Sequence, residues 1–597
     1  MAKHTFPDII ETMKIPTKLN TYELFSALGI FILGLEFLAI ILTLLGIFYW
    51  PILIVYLLVG IIALALLFFH NRKNLNHVQI IAVSLLSFLA IILFSFHAEP
   101  SVFSGRDQGS FSEAAIRLSQ NHKLAFETPA SREFFKIYGP GTALNFPGFN
   151  YTTDGKLITH FSLGYISWLA TFYSLFGLSG FLVANGVLFF LFLLSFFALI
   201  KFHATLRSAW LGILLALSTF VFSWFFKFTL SENLALGFIW FGILELSLFL
   251  KYRDQLFLLS ALSAFLLLAF TRIEAWALLA MLGSLLFIFQ RKEKGLFSKI
   301  EKQKAFWLLG IFSLSYLTTL KVNSQFYLSS LKGLLHSFSE TENGLSLIST
   351  IAYLSKIFYY YGVLVFLVLG ALGMLYFLYR KKYSLLAPTF LLLPICIYLI
   401  HPGISLDHPW MLRRFFFAII PLGIFYTVLL VNRLFSKKLY FFSLATIFIL
   451  ANLLFSSRYI TFSENAGLLS QTKALSENFL RTDLVLIDRL ASGDGWSMIS
   501  APMSFLHGKQ AIYFFNPADL SKLDLKKFAN VYLIVPDENL ALYAKFSLAE
   551  KLIPQKDYQL ERKYLLVPDL AKDSGFFQEL PLKSQITTTG KIYLLRQ

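Results

Sequence analysis

Apolar runs long enough to cross about 30 Å of hydrocarbon recur along most of this chain. They fall near residues 23–49, 51–70, 78–97, 179–200, 209–227, 230–250, 256–272, 274–290, 305–321, 350–379, 384–401, 415–432 and 439–457, about thirteen in all. A further apolar piece, 158–177, carries His160, Ser162, Tyr165, Ser167 and Trp168. Aromatic and polar residues at that density suit the headgroup boundary, so this piece is expected to be an interfacial or re-entrant helix. One long polar loop, roughly 98–158, interrupts the pattern, and after about residue 458 the pattern changes altogether. Short β-rich runs at 484–488, 511–515, 531–536, 564–567 and 591–595 alternate there with helical stretches such as 540–552. That alternation predicts a small soluble α/β domain with a largely buried sheet. The predicted fold is therefore an α-helical polytopic membrane protein with a C-terminal α/β domain. It divides into an N-terminal helix pair (1–77), a membrane domain containing the large loop (78–457) and the α/β domain (458–597).

Composition agrees. Of 597 residues, 57% are hydrophobic and 14% charged, where soluble domains carry about 25% charged residues. The net charge of +17 invites a nucleic-acid partner. That reading is rejected, because Lys and Arg cluster in short loops between apolar runs; attraction to anionic lipid headgroups is the expectation instead. One cysteine, Cys396, rules out an intrachain disulfide. The first apolar run is too long for a signal-peptide core and has no small-residue cleavage site, so it is expected to stay as a membrane helix.

Charge sets the expected topology. With Lys3, Lys14 and Lys18 cytoplasmic, the same side receives Arg72-Lys73, Lys201, Arg207, Lys251, Arg253, Arg291 through Lys304, Arg380-Lys381-Lys382, Arg433 and Lys437-Lys438. The outer short loops keep chiefly Lys332, Arg413 and Arg414. Counting 158–177 as a full span would invert every later cluster, so the positive-inside pattern favours the interfacial reading. The expected location is the plasma membrane, with the N-terminus cytoplasmic and the C-terminal domain extracytoplasmic.

The unusual polar residues then share the outer face. Asp107 and Glu113 lie in the large loop and His160 follows it. Ser231-Glu232-Asn233 opens a helix, an arrangement suited to an N-cap. Thr271-Arg272-Ile273-Glu274 joins two helices, and His401, Asp407-His408-Pro409-Trp410 and Arg413-Arg414 form another hinge. Each has a simpler reading: a helix cap at Ser231, an interfacial ion pair for Arg272 and Glu274, snorkelling anchors at Arg413-Arg414, a surface pair of Asp107 with Arg106, and a packing contact for Glu36. Ionisable groups at membrane level are costly and mark sites, and the shared side points to one. The chemistry suggested is transfer from a lipid-linked phosphate. Arg272, Arg413 and Arg414 are suited to a leaving phosphate, and Asp107 to taking a proton from an acceptor hydroxyl.

Over roughly residues 78–457 the chain resembles the GT-C superfamily of integral-membrane glycosyltransferases. The protein O-mannosyltransferases and the bacterial transferases that use undecaprenyl-phosphate sugars are the nearest in kind. The resemblance rests on Arg106-Asp107-Gln108-Gly109 followed by Phe111-Ser112-Glu113-Ala114-Ala115, on His160 to Leu169 ending in Leu175-Phe176-Gly177, on Ser231-Glu232, on Arg272-Ile273-Glu274 and on His408 to Arg414. The order and shared side of these motifs carry it. It implies an inverting transfer at the extracytoplasmic face with Asp107 catalytic. Two features depart from the family: two spans precede the one that leads into the loop, and Ile158-Thr159-His160 stands where a Lys-Pro-Pro start is frequent. The loop has no Asp-x-Asp pair, which disfavours the metal-dependent oligosaccharyltransferase branch, and Asp154-Gly155 reads as a turn.

The expected function is sugar transfer from a polyprenyl-phosphate-sugar donor to a glycan, lipid or protein acceptor, with no cofactor, no metal and no nucleic acid. Asp107 is the expected catalytic base, supported by Glu113. Arg272, Arg413 and Arg414 are expected to hold the donor phosphate, with His160, Glu232, Glu274 and His408 shaping the pocket. A transporter or lipid flippase is the alternative, disfavoured because no internal repeat is visible and the polar groups sit near helix ends. A non-catalytic assembly protein is a third.

Overall fold

The computed structural model describes residues 21–71, 77–103, 107–292, 301–324, 326–328, 332, 347–400, 408–435, 437–493, 495, 499–546, 548–566 and 580–596. Among these, eight helices are long and apolar enough to cross a membrane, or up to ten if each of two bent pairs is one span. Shorter apolar helices lie at Leu206–Ser218, Gln255–Leu268 and Ala275–Arg291. The chain is a multi-pass membrane protein with a helical bundle and a small C-terminal domain built on a sheet.

Several expected spans are not straight rods, each for a local reason. Residues 350–379 form two helices bent by 115° at a break where Gly362 takes φ of +68°. Residues 383–400 form a succession of short 3-10 and α pieces around Pro388 and Pro394. Proline removes a backbone donor and crowds the preceding turn. The segments Trp410–Phe416 and Ile419–Leu434 meet at 54°.

The Leu163–Phe176 helix folds back on the Gly180–His203 helix. The Tyr165 hydroxyl donates to Asn185 Oδ1 at 2.7 Å, and the Trp168 indole to the Ala184 carbonyl at 3.1 Å. In a continuous helix, residues 165 and 185 would be about 30 Å apart. The reversal depends on Gly180, where a Cβ would lie 2.2 Å from the Phe172 carbonyl oxygen. Residues 163–176 are thus a separate helix of about 21 Å, too short to span.

The first helix, Thr21–Leu45, packs against this short helix, whereas Trp50–Asn71 buries only Leu53 and Asn71. The second helix therefore presents an almost wholly apolar surface, as a lipid-facing element does.

The large loop is ordered. It holds the Asp107–Asn121 helix, the Pro129–Tyr138 helix and a three-stranded antiparallel sheet of β1 (Gly141–Thr142), β2 (Phe149–Tyr151) and β3 (Leu157–Thr159). Thr128 and Ser131 form a capping box at the second helix, with Pro129 at its first turn. Residues 152–156 make the turn between β2 and β3, with Gly155 at φ of +82°.

The C-terminal domain is a mixed sheet of β4 (Leu484–Asp488), β5 (Gln510–Phe514), β6 (Val531–Pro536), β7 (Leu552–Leu566) and β8 (Leu582–Leu595), in the order β5-β4-β6-β8-β7. Strands β5, β4 and β6 are parallel, and β4 is buried at every position. The domain docks on the large loop. Arg117 donates to Ser504 Oγ at 2.8 Å, Asn145 to the Tyr513 carbonyl at 2.7 Å and Lys527 to Glu133 at 2.6 Å; Tyr138 donates to Asp519.

Candidate active site

Asp107 is the first residue of its helix, where the helix dipole favours a carboxylate. Arg413, from the turn that precedes the Ile419–Leu434 helix, places Nη1 2.6 Å from Asp107 Oδ2. Arg106 lies outside the described residues, as do His401 and Asp407.

Arg272 sits in the hinge between Gln255–Leu268 and Ala275–Lys292. Its Nη1 is 2.9 Å from Glu232 Oε1 and also donates to Ser231 Oγ at 3.2 Å. Its Nη2 and Nε reach the two oxygens of Glu274 at 2.6 and 3.3 Å, a two-pronged contact matched to guanidinium geometry. The Phe417 ring lies under this guanidinium, 5.1 Å away. Leu230, not Ser231, is the N-cap of the Ser231–Tyr252 helix, and no side chain caps it. The Ser231 hydroxyl serves Arg272 instead.

Tyr398 ties Arg414 to the Arg272 group. Its hydroxyl donates to Glu274 and accepts from Arg414 Nη1 at 2.9 Å, and the Arg414 guanidinium lies 4.9 Å from the Tyr398 ring centre. Glu232 is within electrostatic reach of Arg272, Arg413 and Arg414. Three arginines and three carboxylates thus form one charge-balanced cluster which, with Tyr398, is assembled from five separate stretches of chain.

The cluster lies at one end of the bundle. Glu232 begins the helix that ends near Lys251, about 28 Å away, close to the thickness of a bilayer core. At that other end Lys251 covers the Phe202 ring, Lys201 donates to Gln79 at 2.6 Å, and Arg207 lies over Phe441. The basic loops and the site are therefore segregated.

Burial opposes the charged form of Glu274, but the charge and hydrogen bonds of Arg272, with help from Tyr398, outweigh it and hold the carboxyl at about 2. His160 is half-buried, and its ring stacks on Phe161 with centroids 4.2 Å apart. Burial lowers the His160 pKa, with Asp107's negative charge opposing. His160 therefore lies within electrostatic reach of Asp107.

The structure leaves two candidates apart from these contacts. Glu113 lies six residues beyond Asp107, about 120° round the helix. It pairs at 3.8 Å with Arg117, the residue that meets Ser504 of the C-terminal domain. His408 is fully buried, with Nδ1 2.9 Å from the Tyr361 hydroxyl. Tyr398 and Phe417 escaped the sequence reading, since nothing distinguishes them from the other aromatic residues in apolar runs.

Two donors are left over. The Nε–H groups of Arg413 and Arg414 are buried and have no hydrogen-bond partner among the described residues. Buried donors in folded proteins are nearly always paired, with protein, water or a bound ion.

Three solved structures are similar to this chain. One is an oligosaccharyltransferase from Archaeoglobus fulgidus in complex with zinc and sulfate, 13% identical, with a TM-score of 0.47 over 81% of this chain and 72% of that one. Another is ArnT from Cupriavidus metallidurans in the apo state, 11% identical, TM-score 0.47, covering 84% of this chain and 96% of that one. The third is the same ArnT bound to undecaprenyl phosphate, 10% identical, TM-score 0.46, covering 85% and 97%. No family model matches the chain, and no curated protein matches it. These likenesses are distant, and the chemistry of the site rests on its own geometry.

Proposed function

We propose that this protein is a membrane glycosyltransferase that moves a sugar from a polyprenyl-phosphate-sugar donor to an acceptor hydroxyl at the extracytoplasmic face. The carrying observation is the pair of buried, unclaimed guanidinium donors of Arg413 and Arg414, beside a carboxylate that is itself accessible. The donors suit a phosphate oxygen. The carboxylate suits a reacting hydroxyl.

In the proposed reaction the donor phosphate takes Arg413 away from Asp107. The freed carboxylate accepts the acceptor's proton as its oxygen bonds to the anomeric carbon. The bond from that carbon to the phosphate oxygen breaks, and its electron pair stays on the phosphate. Arg413 and Arg414 neutralise that charge, with Arg272 behind them. Attack opposite the leaving group inverts the anomeric centre. The arginines supply the positive charge, so the transfer is proposed to be metal-independent. His160, within electrostatic reach of Asp107, forms a pocket wall. The sugar and the acceptor class are open to a panel experiment.

The test is transfer by the purified protein in liposomes, across a panel of polyprenyl-phosphate sugars with glycan, lipid and peptide acceptors. The proposal expects a product that is lost in Asp107→Asn and kept in EDTA. Full transfer by Asp107→Asn would overturn the assignment of the base. Donor flux without any covalent product would overturn the reaction itself.

A further inference from the structure

Glu36 lies in the Thr21–Leu45 helix, is fully buried, and has no hydrogen-bond partner for either carboxyl oxygen among the described residues. Glu245, the other buried carboxyl facing this helix, does have one: Ser26 Oγ donates to it at 2.7 Å. A buried carboxyl with no hydrogen-bond partner is costly, and folded proteins rarely leave one. Glu36 therefore calls for an explanation beyond packing.

Its surroundings supply one. Thr271, the residue before Arg272, is buried, and its Oγ1 also has no partner among the described residues. Both groups face Gly164. A Cβ built on that glycine would lie 2.2 Å from Thr271 Oγ1 and 3.2 Å from Glu36 Oε1. The two unsatisfied groups thus converge over one bare backbone position, which puts each within reach of a hydrogen-bonding group shared with the other. The backbone of the same hinge is held as well. The Gly164 N–H donates to the Phe270 carbonyl at 2.9 Å, and Ser162 Oγ donates to the Thr271 carbonyl at 2.7 Å.

We infer that Glu36 is a positioning residue for the phosphate site, acting through Thr271 to hold the hinge that carries Arg272. This rests on the reading of the arginine cluster as a donor-phosphate site. The interfacial helix fixes the hinge carbonyls, and Glu36, through that shared group, fixes the Thr271 side chain. Rotation of Thr271 would swing Arg272 out from between Glu232 and Glu274. The role needs a hydrogen-bonding group at residue 36, not a charge. It also gives the N-terminal helix a task at the site rather than beside it.

The experiment uses the full-length protein in liposomes with Glu36→Gln, Glu36→Leu, Thr271→Ser and Thr271→Val. Glu36→Leu and Thr271→Val are expected to raise KM for the lipid-linked donor about tenfold, the scale of a small misplacement, with kcat and acceptor KM unchanged. Glu36→Gln and Thr271→Ser are expected to behave as wild type, and the Leu and Val changes together to cost no more than one alone. Hydrogen exchange over residues 268–276 is measured in parallel and needs no substrate. Exchange is expected to rise in Glu36→Leu and not in Glu36→Gln. Unchanged exchange in Glu36→Leu overturns the inference, as does a Gln variant that fails like the Leu variant. A wild type that neither transfers sugar nor binds polyprenyl phosphate overturns the proposed function instead, and the exchange result still decides the role of Glu36 at the hinge.

Discussion

Arg272 and Arg413 are both paired with carboxylates in one cluster, yet their settings differ. Arg272 is 9% exposed and its partners Glu232 and Glu274 are 5% and 15% exposed, so all three have left water. Asp107, the partner of Arg413, keeps 43% of its side chain exposed. Breaking a pair by removing one buried partner strands the other charge and costs about 3–5 kcal/mol, whereas a carboxylate that is already in water loses little when its partner turns to another anion. The Arg272 half is therefore a fixed scaffold. In the Arg413 half only the carboxylate is in water: Arg413 itself is 16% exposed, so Asp107 can be released to solvent when a stronger anion takes its place on the guanidinium. A site that must bind phosphate and then free a base needs one half of each kind.

The strongest way to break this comparison is to attack the scaffold. Arg272→Ala takes from Glu232 and Glu274 the cation that both contact directly, and is expected to destabilise the protein by about 3–5 kcal/mol. Thermal unfolding in detergent reads this, and a variant as stable as wild type would remove the distinction between the halves. Asp107→Asn attacks the other half. It is expected to change stability by less than about 1 kcal/mol while lowering the transfer rate by about 10²–10⁴-fold. A variant that loses stability and activity together would make Asp107 a structural residue.

What the sequence disclosed follows the same division. Charges are rare in an apolar chain, so Glu232, Arg272, Glu274, Arg413 and Arg414 were conspicuous at helix ends, and Asp107 at the head of a polar loop. Their shared end of the bundle followed from the basic loops at the other. The pairing did not, because an ion pair such as Asp107 with Arg413 is set by tertiary packing over 306 residues. Tyr398 was illegible for another reason: a hydroxyl in an apolar run becomes informative only once Glu274 and Arg414 are seen on either side of it. The C-terminal strands were legible as apolar β-rich runs, but 564–567 and 591–595 marked only the ends of β7 and β8. The remainder of β7 and β8 is largely polar, as a hairpin at the edge of a sheet with one wet face is.

The two halves also predict graded responses to smaller changes. Arg413→Lys keeps a charge but loses the planar fork and the unclaimed Nε–H. It is expected to weaken binding of polyprenyl phosphate by about 1.5–3 kcal/mol, roughly 10- to 150-fold, with little loss of stability. Isothermal binding to detergent-dispersed lipid phosphate measures it, and equal affinity would move the phosphate elsewhere. Tyr398→Phe removes the link from Glu274 to Arg414 and is expected to cost about 1 kcal/mol in stability, with a several-fold loss in transfer.

The smallest effect concerns acid. Glu274 titrates at about 2 in the folded protein against an ordinary value of 4.5. A carboxyl whose pKa is depressed by folding contributes stability in full above its unfolded value and loses it as pH falls through the folded one. Wild type is therefore expected to shed this contribution only between about pH 4.5 and pH 2, a window in which Glu274→Gln shows no such component. Because Arg272 stays charged throughout, its second carboxylate, Glu232, holds it in place meanwhile, and the acid loss is gradual rather than abrupt. Unfolding curves of the two proteins that run parallel across that window would show that Arg272 does not depend on Glu274, and the buried half would then reduce to the single pair with Glu232.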